Sequence, residues 1–258
     1  MLPLLLFLLG YANPRFLTLF LGLILLLGLL EFNRMGLAKE CRLEQCLSAV
    51  IGAIGIPLLV LFQHPGFLIP LLTAYFLLLA LMRLLRCGNQ LQQAHFQLAW
   101  LMLGLWYLPL LLSHVISLRL LEQGRAWIFL TLLAIMGCDT LAYFIGSRFG
   151  RRKLYPAISP KKTVEGALGG LVGAILGVLL IGSSMLPQLG WLDIIFLGLL
   201  LGTAGQLGDL FESFLKRACQ VKDSGSIIPG HGGILDRLDS LLFAFPLAYY
   251  LARYLYQG

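Results

Sequence analysis

The chain has 258 residues, of which 59% are hydrophobic and 12% are charged, and its mean hydropathy is +0.88. This composition excludes an ordinary soluble domain and is typical of a helical membrane protein. The formal net charge of +7 suits an anionic leaflet and anionic metabolites, and no nucleic acid partner is expected.

Nine apolar runs follow one another along the chain, and most reach the roughly 20 residues that a helix needs to cross a bilayer. The first is short and ends at Asn13-Pro14-Arg15, so it is either a short span or a re-entrant hairpin; a signal peptide is disfavoured because no basic residue precedes it. We therefore predict an all-α polytopic membrane protein with eight or nine transmembrane helices. The runs lie near residues 2–12, 16–30, 47–62, 66–82, 98–118, 126–147, 164–186, 191–207 and 241–256.

Basic residues predict the orientation, because loops rich in Lys and Arg stay on the cytoplasmic side. With nine spans, 15 of the 19 Lys and Arg residues fall on one side, and only Arg15, Arg119, Arg125 and Arg253 on the other. The basic side is expected to face the cytoplasm, with the chain in the inner (cytoplasmic) membrane. All five cysteines lie at or near that side, so no disulfide is expected.

No internal repeat or long polar linker divides the chain, so residues 1–258 are expected to form a single transmembrane domain. Polarity nevertheless differs along it, because nearly every unusual ionisable residue follows about residue 125. We interpret residues 1–124 as scaffold helices and residues 125–258 as the catalytic half. The catalytic half is expected to form a polar cavity that faces the cytoplasm.

The first polar segment of that half is centred on Asp139, at the end of an apolar run. A carboxylate there is costly unless it is paired or hydrated, which makes Asp139 a functional candidate. Tyr143, Gly146 and Gly150 recur on the same helical face. For the two glycines, close helix packing is the simpler interpretation.

The second segment is Ser159-Pro160-Lys161-Lys162-Thr163-Val164-Glu165-Gly166, which we expect to be a loop that enters the next helix. Ser159 or Thr163 can cap that helix, and Glu165 in its first turn complements the helix dipole. Two adjacent lysines beside a helix N-terminus also form a site for phosphate oxygens. The following glycines, from Gly166 to Gly177, favour helix packing over a phosphate-binding loop.

The third segment carries acidic residues at helical spacing. Asp209 shares a helical face with Lys216, a pattern that a salt-bridged surface helix would also give. A glycine-rich turn around His231 opens another helix, on which Asp236 and Asp239 lie one turn apart. Two carboxylates at this spacing can share a divalent cation, and oxygen ligands favour Mg²⁺ or Mn²⁺ over zinc.

Acidic groups, basic groups and glycine backbone therefore collect on one side of the membrane. This combination is typical of phosphoryl or nucleotidyl transfer, in which catalysis depends on positioning and charge neutralisation. The membrane setting indicates a lipid phosphate as one reactant. The acidic candidates for a metal are Asp139, Asp209, Asp236 and Asp239, and the basic candidates for phosphates are Lys161, Lys162, Lys216, Arg217, Lys222 and Arg237.

A long signature reads Ser213-x-Leu215-Lys216-Arg217-x4-Lys222-Asp223-x-Gly225-x2-Ile228-Pro229-x-His231-Gly232-Gly233-Ile234-x-Asp236-Arg237-Leu238-Asp239. It resembles the complete motif of the phosphatidate cytidylyltransferases, also called CDP-diacylglycerol synthases. Upstream, the resemblance includes Asp139-Thr140-x-Ala142-Tyr143, Ser159-Pro160-x-Lys162-Thr163-x-Glu165-Gly166 and Gly208-Asp209-x2-Glu212-Ser213. It covers roughly the last half of the chain, and the first 120 residues match only as hydrophobic spans.

The resemblance implies that CTP and phosphatidate react, with Mg²⁺, to give CDP-diacylglycerol and pyrophosphate, in a homodimer among membrane lipids. Whether a monovalent cation assists is left open. His231 contacts phosphate, helps proton transfer or serves as a structural hydrogen bonder, and these readings stay open. The implied catalytic residues are Asp209, Lys216, Arg217, Lys222, Asp223, His231, Asp236, Arg237 and Asp239, with Asp209, Asp236 and Asp239 as metal ligands. The implied substrate-binding residues are Asp139, Tyr143, Ser159, Lys161, Lys162, Thr163, Glu165, Gly232 and Gly233.

Two other classes of protein compete with this interpretation. A secondary transporter also places acids and glycine-rich breaks in the membrane, but its site normally lies at the midplane between related halves, which this sequence lacks. A CDP-alcohol phosphotransferase also uses closely spaced aspartates, in greater number and at different spacing. Pyrophosphate release would separate that enzyme from a cytidylyltransferase.

Overall fold

The computed structural model describes residues 13–37, 41–86, 91–225 and 232–256. These residues form helices and one short β-hairpin. In chain order the elements are α1 (Pro14–Gly36), α2 (Arg42–Val50), α3 (Ile56–Leu61), α4 (Leu68–Arg86), α5 (Leu91–Leu105), α6 (His114–Arg119), α7 (Gly124–Phe149), β1 (Lys153–Tyr155), β2 (Ser159–Thr163), α8 (Val164–Met185), α9 (Trp191–Ala218) and α10 (Leu235–Leu251). Short π-helical stretches follow α2, α5 and α10, at Ile51–Gly55, Trp106–Leu110 and Ala252–Tyr256.

Seven helical stretches among the described residues are long and apolar enough to cross a membrane. They coincide with seven of the nine apolar runs, and the prediction of an all-α polytopic membrane protein is confirmed. The first apolar run lies outside the described residues, and the last is helical in α10 without being one of the seven. The seven stretches are Pro14–Gly36, Arg42–Leu61, Pro65–Arg86, Leu91–Arg119, Gly124–Phe149, Val164–Met185 and Trp191–Ala218.

A β-hairpin stands where the sequence predicted only a loop. Strands β1 and β2 are antiparallel, with Lys153 paired to Thr163 and Tyr155 paired to Ser159. The turn between them begins at Pro156, whose fixed φ suits a tight turn. The loop prediction for Ser159–Thr163 was wrong because strands of three and five residues are too short to give a recognisable alternating pattern.

Contacts divide the chain into two compact units. We call Leu118–Lys222 with Arg237–Gly258 the C-terminal unit, and Asn13–Ser117 with Asp223–Asp236 the N-terminal unit. The signature segment thus contributes to both units. Its middle part, with the first two residues of α10, belongs to the N-terminal unit.

In the C-terminal unit, α7 and α8 approach so closely that their backbones touch. A Cβ atom added at Gly173 would lie 2.1 Å from the carbonyl oxygen of Gly137, and one added at Gly137 would lie 2.4 Å from the oxygen of Gly173. No side chain larger than hydrogen fits there without moving a helix. The packing role predicted for the α8 glycines is confirmed at this crossing.

In the N-terminal unit, α1 packs against α5 through aromatic rings. Phe32 stacks on Trp100 with ring centroids 4.4 Å apart, and the Trp100 indole N–H donates to the Phe32 carbonyl oxygen over 3.0 Å. The buried Glu44 carboxylate of α2 pairs with Arg83 of α4 at 2.9 Å. A buried charge is costly unless it is paired, so separating these two side chains would be unfavourable. The ion pair therefore holds α2 against α4.

The α7–α8 crossing predicts different outcomes for two glycines of α8. Gly173→Ala drives a methyl group into the Gly137 carbonyl and should lower the melting temperature in detergent by roughly 3–10 °C, the range for an overpacked core. Gly182→Ala is the matched control, because its Cβ would make ordinary van der Waals contacts with Ile194 and Leu189, both at 3.6 Å. A thermal-shift assay checks the pair, and equal melting temperatures would contradict the close crossing.

Candidate functional site

A cavity of about 460 Å³ lies in the C-terminal unit. Residues of α7, α8, α9 and the β-hairpin line it. Six of the residues predicted from sequence meet on its walls, namely Asp139, Tyr143, Lys161, Lys162, Thr163 and Asp209. The cavity therefore joins predicted substrate-binding residues to one predicted metal ligand.

The β-hairpin brings the two lysines to this cavity. Strand β2 carries them directly into α8, and the Thr163 side chain caps that helix by accepting a hydrogen bond from the Gly166 N–H at 3.2 Å. Lys162 Nζ forms an ion pair with Asp209 Oδ2 of α9 at 2.5 Å. The two side chains are 27% and 30% exposed, so solvent reaches this ion pair.

Three carboxylates interact in this region. Asp139 interacts electrostatically with Asp209 and Lys162, and Asp239 interacts with Asp209, Asp139 and Lys216. Helices α9 and α10 meet closely here, because a Cβ at Gly208 would lie 2.4 Å from the Asp239 carbonyl oxygen. Repulsion among these carboxylates favours a cation beside them.

The donor set fits Mg²⁺ better than a metal that needs a complete protein cage. Among the described residues, no group of three or more His, Cys, Asp or Glu side chains is arranged to hold an ion. Mg²⁺ commonly takes one or two carboxylates and completes its shell with water and substrate phosphates. Asp209 and Asp239, which interact electrostatically, are the carboxylates that could fill this role, and their binding of Mg²⁺ stays a prediction.

The C-terminal end of α9 holds further predicted residues. Lys216 pairs with the buried Glu212 one turn earlier on the helix at 2.5 Å. Arg217 donates to the carbonyl oxygens of Ile158 and Val221, both at 3.4 Å. Arg217 therefore links the β-hairpin to the turn that follows α9.

Four predicted substrate-binding residues do not line the cavity, and two of them, Ser159 and Glu165, belong to the hairpin and the start of α8. The Glu165 carboxylate accepts hydrogen bonds from the backbone N–H groups of Arg151 at 3.0 Å and Arg152 at 3.2 Å. Ser159 pairs with Tyr155 in the hairpin. In this structure both residues hold the segment between α7 and α8 in place, and their binding of substrate stays a prediction.

Predicted residues of the N-terminal unit cluster around Asp236. Its Oδ2 atom accepts from the Gly233 N–H at 2.8 Å, and from the N–H and hydroxyl of Ser224 at 3.3 and 2.9 Å. Gly232 has φ of +80°, a conformation that favours glycine. That Asp236 shares a cation with Asp209 and Asp239 stays a prediction.

The remaining predicted residues are Lys222, Asp223, His231 and Arg237. Lys222 and Asp223 are exposed in the turn after α9, and Arg237 is exposed near the start of α10. His231 lies outside the described residues. Their catalytic roles stay predictions.

Sequence reasoning missed two residues beside these groups. Gln206 lines the cavity and donates from Nε2 to the Ala167 carbonyl oxygen at 2.9 Å. Glu31 of α1 is 1% exposed and accepts from the Leu235 N–H at 3.1 Å. For Glu31, the available signal was an ionisable residue near the end of an apolar run, because such residues are rare without a function.

Comparisons with known proteins agree with the signature. The sequence model of the Cytidylyltransferase family matches residues 1–255. A phosphatidate cytidylyltransferase of Bacillus subtilis is 45% identical over 157 residues, which are 60% of this chain and 58% of that protein. One from Staphylococcus saprophyticus is 34% identical over 237 residues, 90% of this chain and 87% of that protein.

A third relative, the phosphatidate cytidylyltransferase of Brucella abortus biovar 1, is 41% identical over 154 residues, 58% of this chain and 56% of that protein. The chain thus spans little more than half the length of the Bacillus and Brucella relatives. The family match is far longer and includes both compact units. On that match, the chain belongs to the Cytidylyltransferase family.

Proposed function

We propose that this protein transfers CMP from CTP to phosphatidate, giving CDP-diacylglycerol and pyrophosphate. The observation that carries the proposal is the Lys162–Asp209 ion pair on the wall of a cavity beside the N-terminus of α8. A lysine that can bind phosphate lies there next to a carboxylate that can bind a metal, which supports the proposal. The activity named for the relatives, phosphatidate cytidylyltransferase, supports the same reaction.

The phosphates of CTP bind at the N-terminal end of α8. Lys161 and Lys162 supply positive charge there, and the helix dipole adds to it. In the resting site Lys162 is neutralised by Asp209. When a triphosphate enters, Lys162 turns from the carboxylate to a phosphate oxygen, which leaves Asp209 available to a metal ion.

Asp209 and Asp239 are the residues that hold Mg²⁺, and the sequence adds Asp236 as a further ligand. Bound Mg²⁺ would neutralise the triphosphate and stabilise the pyrophosphate leaving group. Mn²⁺ satisfies the same oxygen ligands. The electrostatic interaction of Asp239 with Asp209 and Asp139 supports this assignment, because a cation relieves their repulsion.

The transfer step needs no covalent enzyme intermediate. A phosphate oxygen of phosphatidate attacks the α-phosphorus of CTP, a new P–O bond forms, and the bond from that phosphorus to the bridging β-phosphate oxygen breaks. The phosphates are bound by the basic side chains of Lys216, Arg217, Lys222 and Arg237. Phosphatidate is largely ionised near neutral pH, so the attack requires no dedicated general base.

The membrane setting completes the proposal. The bias of Lys and Arg supports a protein of the inner membrane with its site open to the cytoplasm, where CTP is present. The lipid substrate reaches the site from the surrounding membrane lipids. The protein is proposed to act as a homodimer.

The first test is an assay with purified protein in detergent. Radiolabelled CTP and phosphatidate should give labelled CDP-diacylglycerol and one equivalent of pyrophosphate, with Mg²⁺ required and Mn²⁺ able to replace it. Release of CMP from an added CDP-alcohol donor, with no CDP-diacylglycerol formed from CTP and phosphatidate, would indicate a CDP-alcohol phosphotransferase. Uptake of a solute by vesicles without any CDP-lipid would indicate a transporter, and either result would overturn the proposal.

The second test compares two aspartates of α9. Asp209→Asn removes a metal ligand and should lower kcat at least about 100-fold, because a catalytic metal contributes several kcal/mol. Asp193→Asn is the matched control, since Asp193 accepts from the Gly190 N–H and the Tyr256 hydroxyl and lies about 24 Å away along the helix. Equal activities in folded variants would remove Asp209 from the metal site.

The third test compares two lysines of the hairpin. Lys162→Met should raise the KM for CTP about tenfold, since a charge-assisted hydrogen bond contributes about 1.5–3 kcal/mol. Lys153→Met is the control, because Lys153 is exposed on β1 and does not line the cavity. Steady-state kinetics at saturating phosphatidate measure both, and an unchanged KM in Lys162→Met would contradict the assigned role.

A further inference from the structure

A buried glutamate of the scaffold helix α1 contacts the signature segment. The Glu31 side chain is 1% exposed, and its Oε2 atom accepts a hydrogen bond from the Leu235 N–H at 3.1 Å. Leu235 is the first residue of α10, where backbone N–H groups lack partners within the helix. Glu31 therefore caps α10 with a carboxylate from a different helix, which also complements the positive end of the helix dipole.

Two glycines of the signature lie directly against this carboxylate. A Cβ at Gly225 would come within 2.6 Å of Glu31 Oε1, and a Cβ at Gly233 within 2.6 Å of Glu31 Oε2. Any larger residue at either position would displace the carboxylate. Gly225 and Gly233, which lie on either side of residues 226–231 in the sequence, thus both pack against the Glu31 carboxylate.

Ser224 connects Glu31 to Asp236. Its hydroxyl oxygen lies 2.9 Å from Asp236 Oδ2 and 3.5 Å from Glu31 Oε2. The Ser224 and Gly233 N–H groups also donate to Asp236 Oδ2, at 3.3 and 2.8 Å. The orientation of the Asp236 carboxylate therefore depends on two short segments that Glu31 holds together.

From these contacts we infer that Glu31 is a positioning residue, which fixes the Asp236 carboxylate for catalysis by holding Ser224 and Leu235. The inference rests on the proposed function, in which Asp236 takes part in the transfer. A carboxylate suits this position because it only accepts hydrogen bonds, and its surroundings offer a hydroxyl and backbone N–H groups. Leu at this position would leave the Leu235 N–H buried without an acceptor.

The test uses three variants of the full-length protein in detergent. Glu31→Leu should lower kcat about 10- to 100-fold, the usual cost of losing a group that orients a ligand. Glu31→Gln keeps an accepting oxygen and should restore most of the activity. Glu44→Leu is the matched control, because Glu44 is equally buried in the N-terminal unit and pairs with Arg83.

A readout without substrate separates this inference from the proposed function. Hydrogen–deuterium exchange should become faster in Glu31→Leu at residues 223–225 and 232–236, and should stay at the wild-type rate there in Glu44→Leu. If wild-type protein makes no CDP-diacylglycerol, the proposed function fails, while the exchange result still reports whether Glu31 holds the segment. If Glu31→Leu is not recovered folded, Ser224→Ala replaces it, because it removes the hydroxyl group that connects Glu31 to Asp236.

The inference is overturned by either of two results. One is wild-type exchange of residues 223–225 and 232–236 in a folded Glu31→Leu variant or, where that variant does not fold, in Ser224→Ala. The other is an equal loss of kcat in Glu31→Leu and Glu44→Leu at similar melting temperatures, which would reduce Glu31 to a general contributor to stability. Loss of kcat in Glu31→Leu with recovery in Glu31→Gln supports the positioning role.

Discussion

The need to compensate buried and partly buried carboxylates governs this structure. Asp209 has Lys162, Glu212 has Lys216, and Glu44 has Arg83. Asp236 and Glu31 are compensated by N–H and O–H donors of the signature segment. Because a charge in a low-dielectric region is costly without such partners, the pairs that join two elements also fix the relative positions of those elements.

The sequence was sufficient for the class of fold and for the family. Long apolar runs predict membrane helices reliably, because a helix that satisfies its own backbone groups is nearly the only structure that can cross a bilayer. The signature has enough fixed positions to identify its relatives. The glycines of α8 were also interpreted correctly, since small residues at helical spacing permit the contact that Gly137 and Gly173 make.

What the sequence could not provide was pairing between distant segments. Lys162 and Asp209 are separated by 47 positions along the chain, and no local pattern indicates that they meet. Glu31 was assigned to a scaffold region because the resemblance began far downstream of it. The hairpin was not predicted because its strands depend on cross-strand pairing and on the Glu165 contacts with Arg151 and Arg152.

In the proposed reaction, the Lys162–Asp209 ion pair would also affect how tightly the nucleotide is held. An incoming triphosphate would compete with an internal counter-ion, so part of its attraction to the lysine would be offset by separating the pair. On departure of the pyrophosphate the two side chains would rejoin, which would favour release over product inhibition. The same contact would thus lower ground-state affinity and favour turnover, an advantage where the nucleotide is abundant.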